Sequence, residues 1–204
     1  VRLFFVSPAT DRDTPDPAGG PAAASEGAEA GDLKALFREL AMGNLAALDR
    51  IYDAAATDIY RLALWRIGVP GDAEDVVQTV FVRLAEARAR LAEVRDPKCF
   101  LLAMAHRAAV DRRRRAAARA LPLPEDPDLL QAAREDPGRA IDARRASAAL
   151  RRLPAAQREA IVLHHFSGLT FAAIGRVTGV PTFTAASRFR NGIKALRRLM
   201  GLTG

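Results

Sequence analysis

A single cysteine, Cys99, occurs in 204 residues. No internal disulfide is possible, and that usage suits a reducing compartment. No apolar run approaches the roughly 20 residues of a membrane-spanning helix. The opening VRLFFVSP is too short for the apolar region of a signal peptide and passes directly into DRDTPDP. A cytoplasmic protein without membrane insertion is therefore expected. The three histidines, His106, His164 and His165, do not make a metal site. His164 and His165 are neighbours that point different ways on a helix, and no cysteine cluster completes a zinc set. His106 is expected at a helix surface beside arginines. A glycine-rich phosphate loop and a nucleophilic-serine elbow are also missing. No enzyme, cofactor or metal is expected.

Acidic residues are absent from residues 160–204, which hold six Lys or Arg. Residues 1–32 run the other way, with six acids against two arginines among many Pro, Gly and Ala. Residues 120–137 carry five acids, one arginine and four prolines. Both stretches read as weakly folded. The basic surplus, +7 for the whole chain, is thus concentrated locally, and it favours a polyanionic partner.

Two helical blocks flank the proline-rich stretch. In the first, Asp32 is placed to cap a helix carrying Leu33, Leu36, Phe37 and Leu40. After Gly43-Asn44, apolar residues from Leu45 to Ala63 keep a helical rhythm that GVPG at 68–71 ends. Asp72 is placed to cap the next helix, whose Val76, Val77, Val80, Phe81 and Leu84 form one apolar stripe. Asp96-Pro97 starts another helix, with Phe100, Leu101, Met104, Ala105 and Ala108 facing inward. The second block opens with a helix over 138–152. Pro154 starts the next, Gly168 ends it, and Thr170 caps a short helix through Thr178. Gly179 supplies a tight turn and Thr182 is placed to cap a last long helix. Two helices joined around a glycine have the helix-turn-helix shape. On the last helix Phe183, Ala186 or Phe189, Ile193 and Leu196 are expected inward. Thr184, Ser187, Arg188, Arg190 and Lys194 are polar or cationic on its outer half, as a helix entering a major groove requires.

The fold expected is all-α: two small helical domains, the second a helix-turn-helix, joined by an acidic Pro-rich linker. Its parts are residues 1–31 (acidic, disordered extension), 32–118, 119–137 (flexible linker) and 138–204.

DAEDVVQTVF resembles region 2.2 of sigma-70 family proteins of the small extracytoplasmic-function group. FLLAMAHRAAVDRRRR resembles the promoter-melting helix that follows it, with Phe100 at a usual Trp and Arg107 at a usual Asn. LPAAQREAIVLHHFSGLTFAAIGRVTGVPTFTAASRFRNGIKALR is similar to region 4. It departs at Ala172-Ala173, Phe183 and Ala186, where the family usually has an acidic pair, a Gly and a Lys or Arg.

The resemblance implies a promoter-specific sigma factor, a binding subunit that brings core RNA polymerase to promoter DNA. It implies polymerase contacts from Asp75 and Gln78, with Phe81 supporting them from beneath. It implies −10 contacts from Lys98, Arg107, Asp111, Arg112, Arg113, Arg114 and Arg115, with residues 94–99 in a loop around a flipped base. Asp111 is expected to fix an arginine rotamer at i,i+3 or i,i+4. Contacts to the −35 element are implied for Thr170, Thr182, Thr184, Ser187, Arg188, Arg190 and Lys194. The free protein is expected to be a monomer, with a cognate anti-sigma factor as a further partner. Two alternatives come from the residues alone. One is a dimeric helix-turn-helix repressor acting without polymerase. The other is an interaction module that is basic because it holds an acidic partner.

Overall fold

The computed structural model describes residues 23–118 and 145–202, and every regular element among them is helical. In chain order these are α1 (Ala23–Ala41), α2 (Ala46–Ile67), α3 (Pro70–Glu86), a 3-10 segment (Arg88–Glu93) and α4 (Pro97–Ala118). Then come α5, described over residues 145–151, α6 (Ala155–His165), α7 (Phe171–Thr178) and α8 (Thr182–Leu199). Residues 1–22 and 119–137 of the stretches expected to be weakly folded lie outside the described residues, as do residues 138–144, the start of the helix expected from 138. Residues 23–31, expected in a disordered extension, instead form the start of α1.

The apolar spacing decides which faces are buried. Leu33, Leu36, Phe37 and Leu40 of α1 are buried, as their three- and four-residue spacing requires. Val76, Val80 and Leu84 of α3 point into the same core as Leu101, Leu102 and Ala105 of α4. Gly68 closes α2 in the left-handed region (φ 85°), with its N–H donating to Leu64 O.

Several helix starts differ from expectation. Asp32 lies inside α1, which begins at Ala23. Asp72 lies in the first turn of α3, because Pro70 takes a first-turn position where its missing N–H costs nothing. Thr182 is the first residue of α8 after Pro181 and makes no capping hydrogen bond. Thr170 does cap α7, accepting from the Ala173 N–H at 3.2 Å. Asp96 caps α4, its Oδ1 accepting from the Cys99 N–H at 3.0 Å. The segment 94–99 is thus only half loop, since Pro97 to Cys99 are already helical.

The two blocks are in contact. One apolar cluster runs from α1–α4 into Leu163, Leu169, Ala173, Ile174 and Val177. A second gathers Leu150, Leu153, Ile161 and Val162 around Trp65, the chain's one tryptophan, which reaches out of α2 and is 8% exposed.

Candidate nucleic-acid interface

The helix-turn-helix is α7 and α8. Two glycines make its turn, for different reasons. Gly179 takes φ +72°, where a side chain would be strained. Gly175 is needed for room, since a Cβ there would lie 2.6 Å from Val180 O. The α8 face toward the core carries Ala185, Phe189, Gly192, Ile193 and Leu196. Phe189 packs on His164 and Phe171, at ring-centroid distances of 4.7 and 5.4 Å. Between the alternatives Ala186 and Phe189, the aromatic ring fills the core.

Phe183 does not pack inward. It is 75% exposed, with the Arg190 guanidinium carbon 6.0 Å from its ring centroid. At the first turn of α8 no element among the described residues lies above it to bury it. Ser187 and Arg190 follow it at i+4 and i+7, so one outward stripe runs Phe183, Ser187, Arg190, Lys194. Thr184 and Arg188 are half-buried along one side of the stripe, while Thr170 and Thr182 are exposed at the starts of α7 and α8. Arg188 and Lys194 have no ion-pair partner among the described residues.

On α3, Asp75 is half-buried, Gln78 is exposed and Phe81 is buried beneath them against Tyr52, with ring centroids 4.8 Å apart. Val82 belongs to the same face and is 58% exposed. Its spacing, i+7 from Asp75 and i+4 from Gln78, could have identified it from sequence.

The residues expected to meet −10 DNA divide. Arg107, Arg114 and Arg115 of α4 are exposed, and Arg113 is half-buried. Arg112 instead turns back to α3, where its Nη2 lies 2.6 Å from Asp72 Oδ1 and 2.5 Å from Asp75 Oδ2. The hydrogen bond to Asp72 in particular raises the Arg112 pKa. Asp111 makes no ion pair among the described residues. Its expected partners Arg107, Arg114 and Arg115 are exposed instead, while Arg112 is held by the two α3 carboxylates, which offer it two acceptors at once. Lys98 is paired with Asp58 at 3.4 Å, in a groove that also carries Asp53 and Asp96.

The second block covers that segment. Arg176 of α7 binds Asp96 at 2.8 Å, and the Cys99 thiol lies 3.8 Å from Ala173 O. Burial pushes the Cys99 pKa up, so it stays a thiol at neutral pH.

A further contact was missed from sequence. Glu159, 8% exposed, lies 2.6 Å from Arg66 and 2.6 Å from His106 Nδ1, joining α6 to α2 and α4. His106 is therefore largely buried between the blocks, not at a free surface beside arginines. Glu159 is the sole acid in residues 143–204, which was the available signal. Arg158 beside it has a lowered pKa, from burial first and then from Arg113 and Arg66.

Comparison with known proteins bears on this arrangement. The Sigma-70 region 2 family matches residues 51–119, and the Sigma-70 region 4 family matches residues 143–196. The ECF RNA polymerase sigma factor SigK of Mycolicibacterium vanbaalenii is 31% identical over 182 residues, 84% of this chain and 90% of the relative. This chain belongs to the ECF sigma-70 family. SigK of Mycobacterium tuberculosis is 28% identical, over 84% of this chain and 95% of the relative. Two solved structures share the fold at 21% identity. One is CnrH in complex with the cytosolic domain of CnrY (TM-score 0.59, 85% of this chain and 99% of that one). The other is the sigma factor RpoE in complex with the anti-sigma factor NepR from Bartonella quintana (TM-score 0.57, 72% and 91%).

Regions 2 and 4 of this sigma factor are therefore α2–α4 and α5–α8. As a promoter-specific sigma factor it supplies binding to core polymerase and to the −10 and −35 elements, not catalysis. No described helix is long and apolar enough to cross a membrane.

Proposed function

We propose that the Asp75–Gln78–Val82 face of α3 docks this sigma factor on core RNA polymerase, and that the rest of the surface divides the promoter. Arg107, Arg113, Arg114 and Arg115 position the −10 strand through phosphates. Thr184, Ser187, Arg188, Arg190 and Lys194 hold the −35 duplex. Arg112 orients α4 on α3 through Asp72 and Asp75 and is held away from DNA by both. The observation that carries this reading is one chain bearing an acidic, partly apolar docking face on α3 and an acid-free cationic stripe on α8. We place the protein in the cytoplasm, free as a monomer, with an anti-sigma factor as its regulatory partner.

The contact between regions 2 and 4 is then a resting state. The two promoter elements are about 25 base pairs apart, or about 85 Å of B-form duplex. Blocks in van der Waals contact cannot span that distance. Residues 119–144 reach about 90 Å when extended. Opening also frees Asp96 and Cys99 from α7.

Transcription with core polymerase tests the assignment. The wild-type protein should restrict initiation to promoters having both elements. Asp75→Ala with Gln78→Ala should keep full helicity but lose co-purification with core enzyme. Unchanged co-purification of that double variant would remove the docking assignment. Tight binding of a palindrome as a dimer, with no effect on polymerase, would favour a repressor instead.

Arg188→Ala separates two modes of −35 contact. Pairing with a guanine edge predicts a loss of about 1–3 kcal/mol of discrimination at one base pair. Phosphate contact alone predicts equal weakening on all sequences and a salt slope smaller by roughly one. We expect the first outcome, because Arg188 is half-buried in the second turn of α8, within the N-terminal half of the helix whose side chains meet base edges.

A further inference from the structure

The structure assigns Phe183 a role in reading the promoter: its ring is a hydrophobic contact for the C5-methyl group of a thymine in the −35 element. The inference rests on α8 being the −35 helix and deepens that reading by naming a base.

A single exposed apolar side chain is ordinary on a protein surface. Phe183 differs in its position. It is 75% exposed at the first turn of α8, where a helix entering the major groove brings side chains to base edges. It heads the stripe completed by Ser187, Arg190 and Lys194, so whatever those cations bind also meets the ring. Residues 160–204 hold six Lys or Arg and no acid, which makes a polyanion the fitting occupant of that stripe.

Arg190, 6.0 Å from the ring centroid, lies within the range of a cation–π contact and biases the ring toward the cationic stripe. Ala186, one turn further on, is too small to screen it. Folding gains almost nothing from an aromatic ring left in water, and the ring has no hydrogen-bonding group. In a major groove the apolar group offered by a base pair is the thymine methyl. The pattern expected in the −35 element is an A·T pair met by Phe183 beside positions met by Ser187 and Arg188.

Replacing thymine by uracil removes only that methyl, so the contact can be tested from the DNA side. A promoter would be selected by the holoenzyme from a library randomised over the −35 element. Each −35 thymine, on either strand, would then be changed singly to uracil, and holoenzyme affinity measured for wild type, Phe183→Ala and Phe183→Leu. Wild type should weaken about fourfold at one position, the effect of one methyl left unburied. Phe183→Ala should bind the thymine and uracil duplexes equally at that position, and Phe183→Leu should keep part of the difference. Because the side chain is exposed, neither variant should alter thermal stability.

The proposal is overturned if the selected element contains no thymine, or if no uracil substitution affects wild type. Equal thymine-to-uracil losses in wild type and Phe183→Ala would also overturn it. So would a uniform loss in Phe183→Ala with discrimination unchanged, which would place Phe183 against a protein surface. In all these cases wild-type holoenzyme still selects promoters, so the sigma-factor reading stands. If wild-type protein directs no promoter-specific transcription, both fall.

Discussion

Glu159→Ala should open the molecule. Its carboxylate is the one acid, among the described residues, where Arg66 and His106 of region 2 meet α6, and Arg158 crowds the same place with a pKa already lowered by burial and by its cationic neighbours. Removing one partner of a buried ion pair costs about 3–5 kcal/mol. The Arg66 Nε, buried without an acceptor among the described residues, already weighs against the closed arrangement before the substitution. Separation of the regions relieves it by returning the cations to water. A change of about 3 kcal/mol shifts a two-state population by more than about 100-fold.

Trp65 reports this directly. It is the chain's one tryptophan and is buried among Leu150, Leu153, Ile161 and Val162. Glu159→Ala should move its emission to longer wavelength and raise the radius of gyration by scattering. Glu159→Gln, which keeps shape and acceptor but not charge, should do so less. Arg158→Met should act in the opposite direction, since it removes repulsion present at every pH where the guanidinium is charged. Unchanged emission and size in Glu159→Ala would mean that the apolar cluster alone holds the regions together.

Gly175→Ala should have the other large effect, confined to −35 recognition. The added Cβ would sit 2.6 Å from Val180 O, a backbone atom that cannot rotate away. Gly175 O also accepts from the Gly179 and Val180 N–H groups, so the turn cannot shift without losing them. Overpacking of this kind costs about 1–3 kcal/mol. The change should tilt α8 relative to α7, abolish protection of the −35 element and lower the melting temperature. Association with core polymerase, which we propose uses α3, should persist. Normal −35 protection by a stable Gly175→Ala protein would show that the turn yields without cost.

Much of the candidate surface was legible from local pattern. The α3 stripe, the Thr170 cap, the Gly179 turn and the exposed cations of α8 follow from periodicity and turn chemistry, which act over a few residues. Motif order alone located both regions, because the residues of DAEDVVQTVF and TFTAASR lie together on single helices. Local reasoning failed where a side chain had a choice of neighbours. Phe183 is apolar, and periodicity put it in the core, yet among the described residues no element packs above the first turn of α8. Arg112 was expected to face DNA, and only the position of α3 gave it two carboxylates instead.

Local pattern was enough for the helical class and the charge of each face, and it supplied the surfaces proposed to meet polymerase and DNA. Tertiary structure decided how the blocks meet. Glu159 lies 93 residues from Arg66 and 53 from His106, and Asp96 lies 80 from Arg176. No periodicity links such pairs. Their energies depend on distance and burial, which exist only once α6 and α7 are packed against α2 and α4.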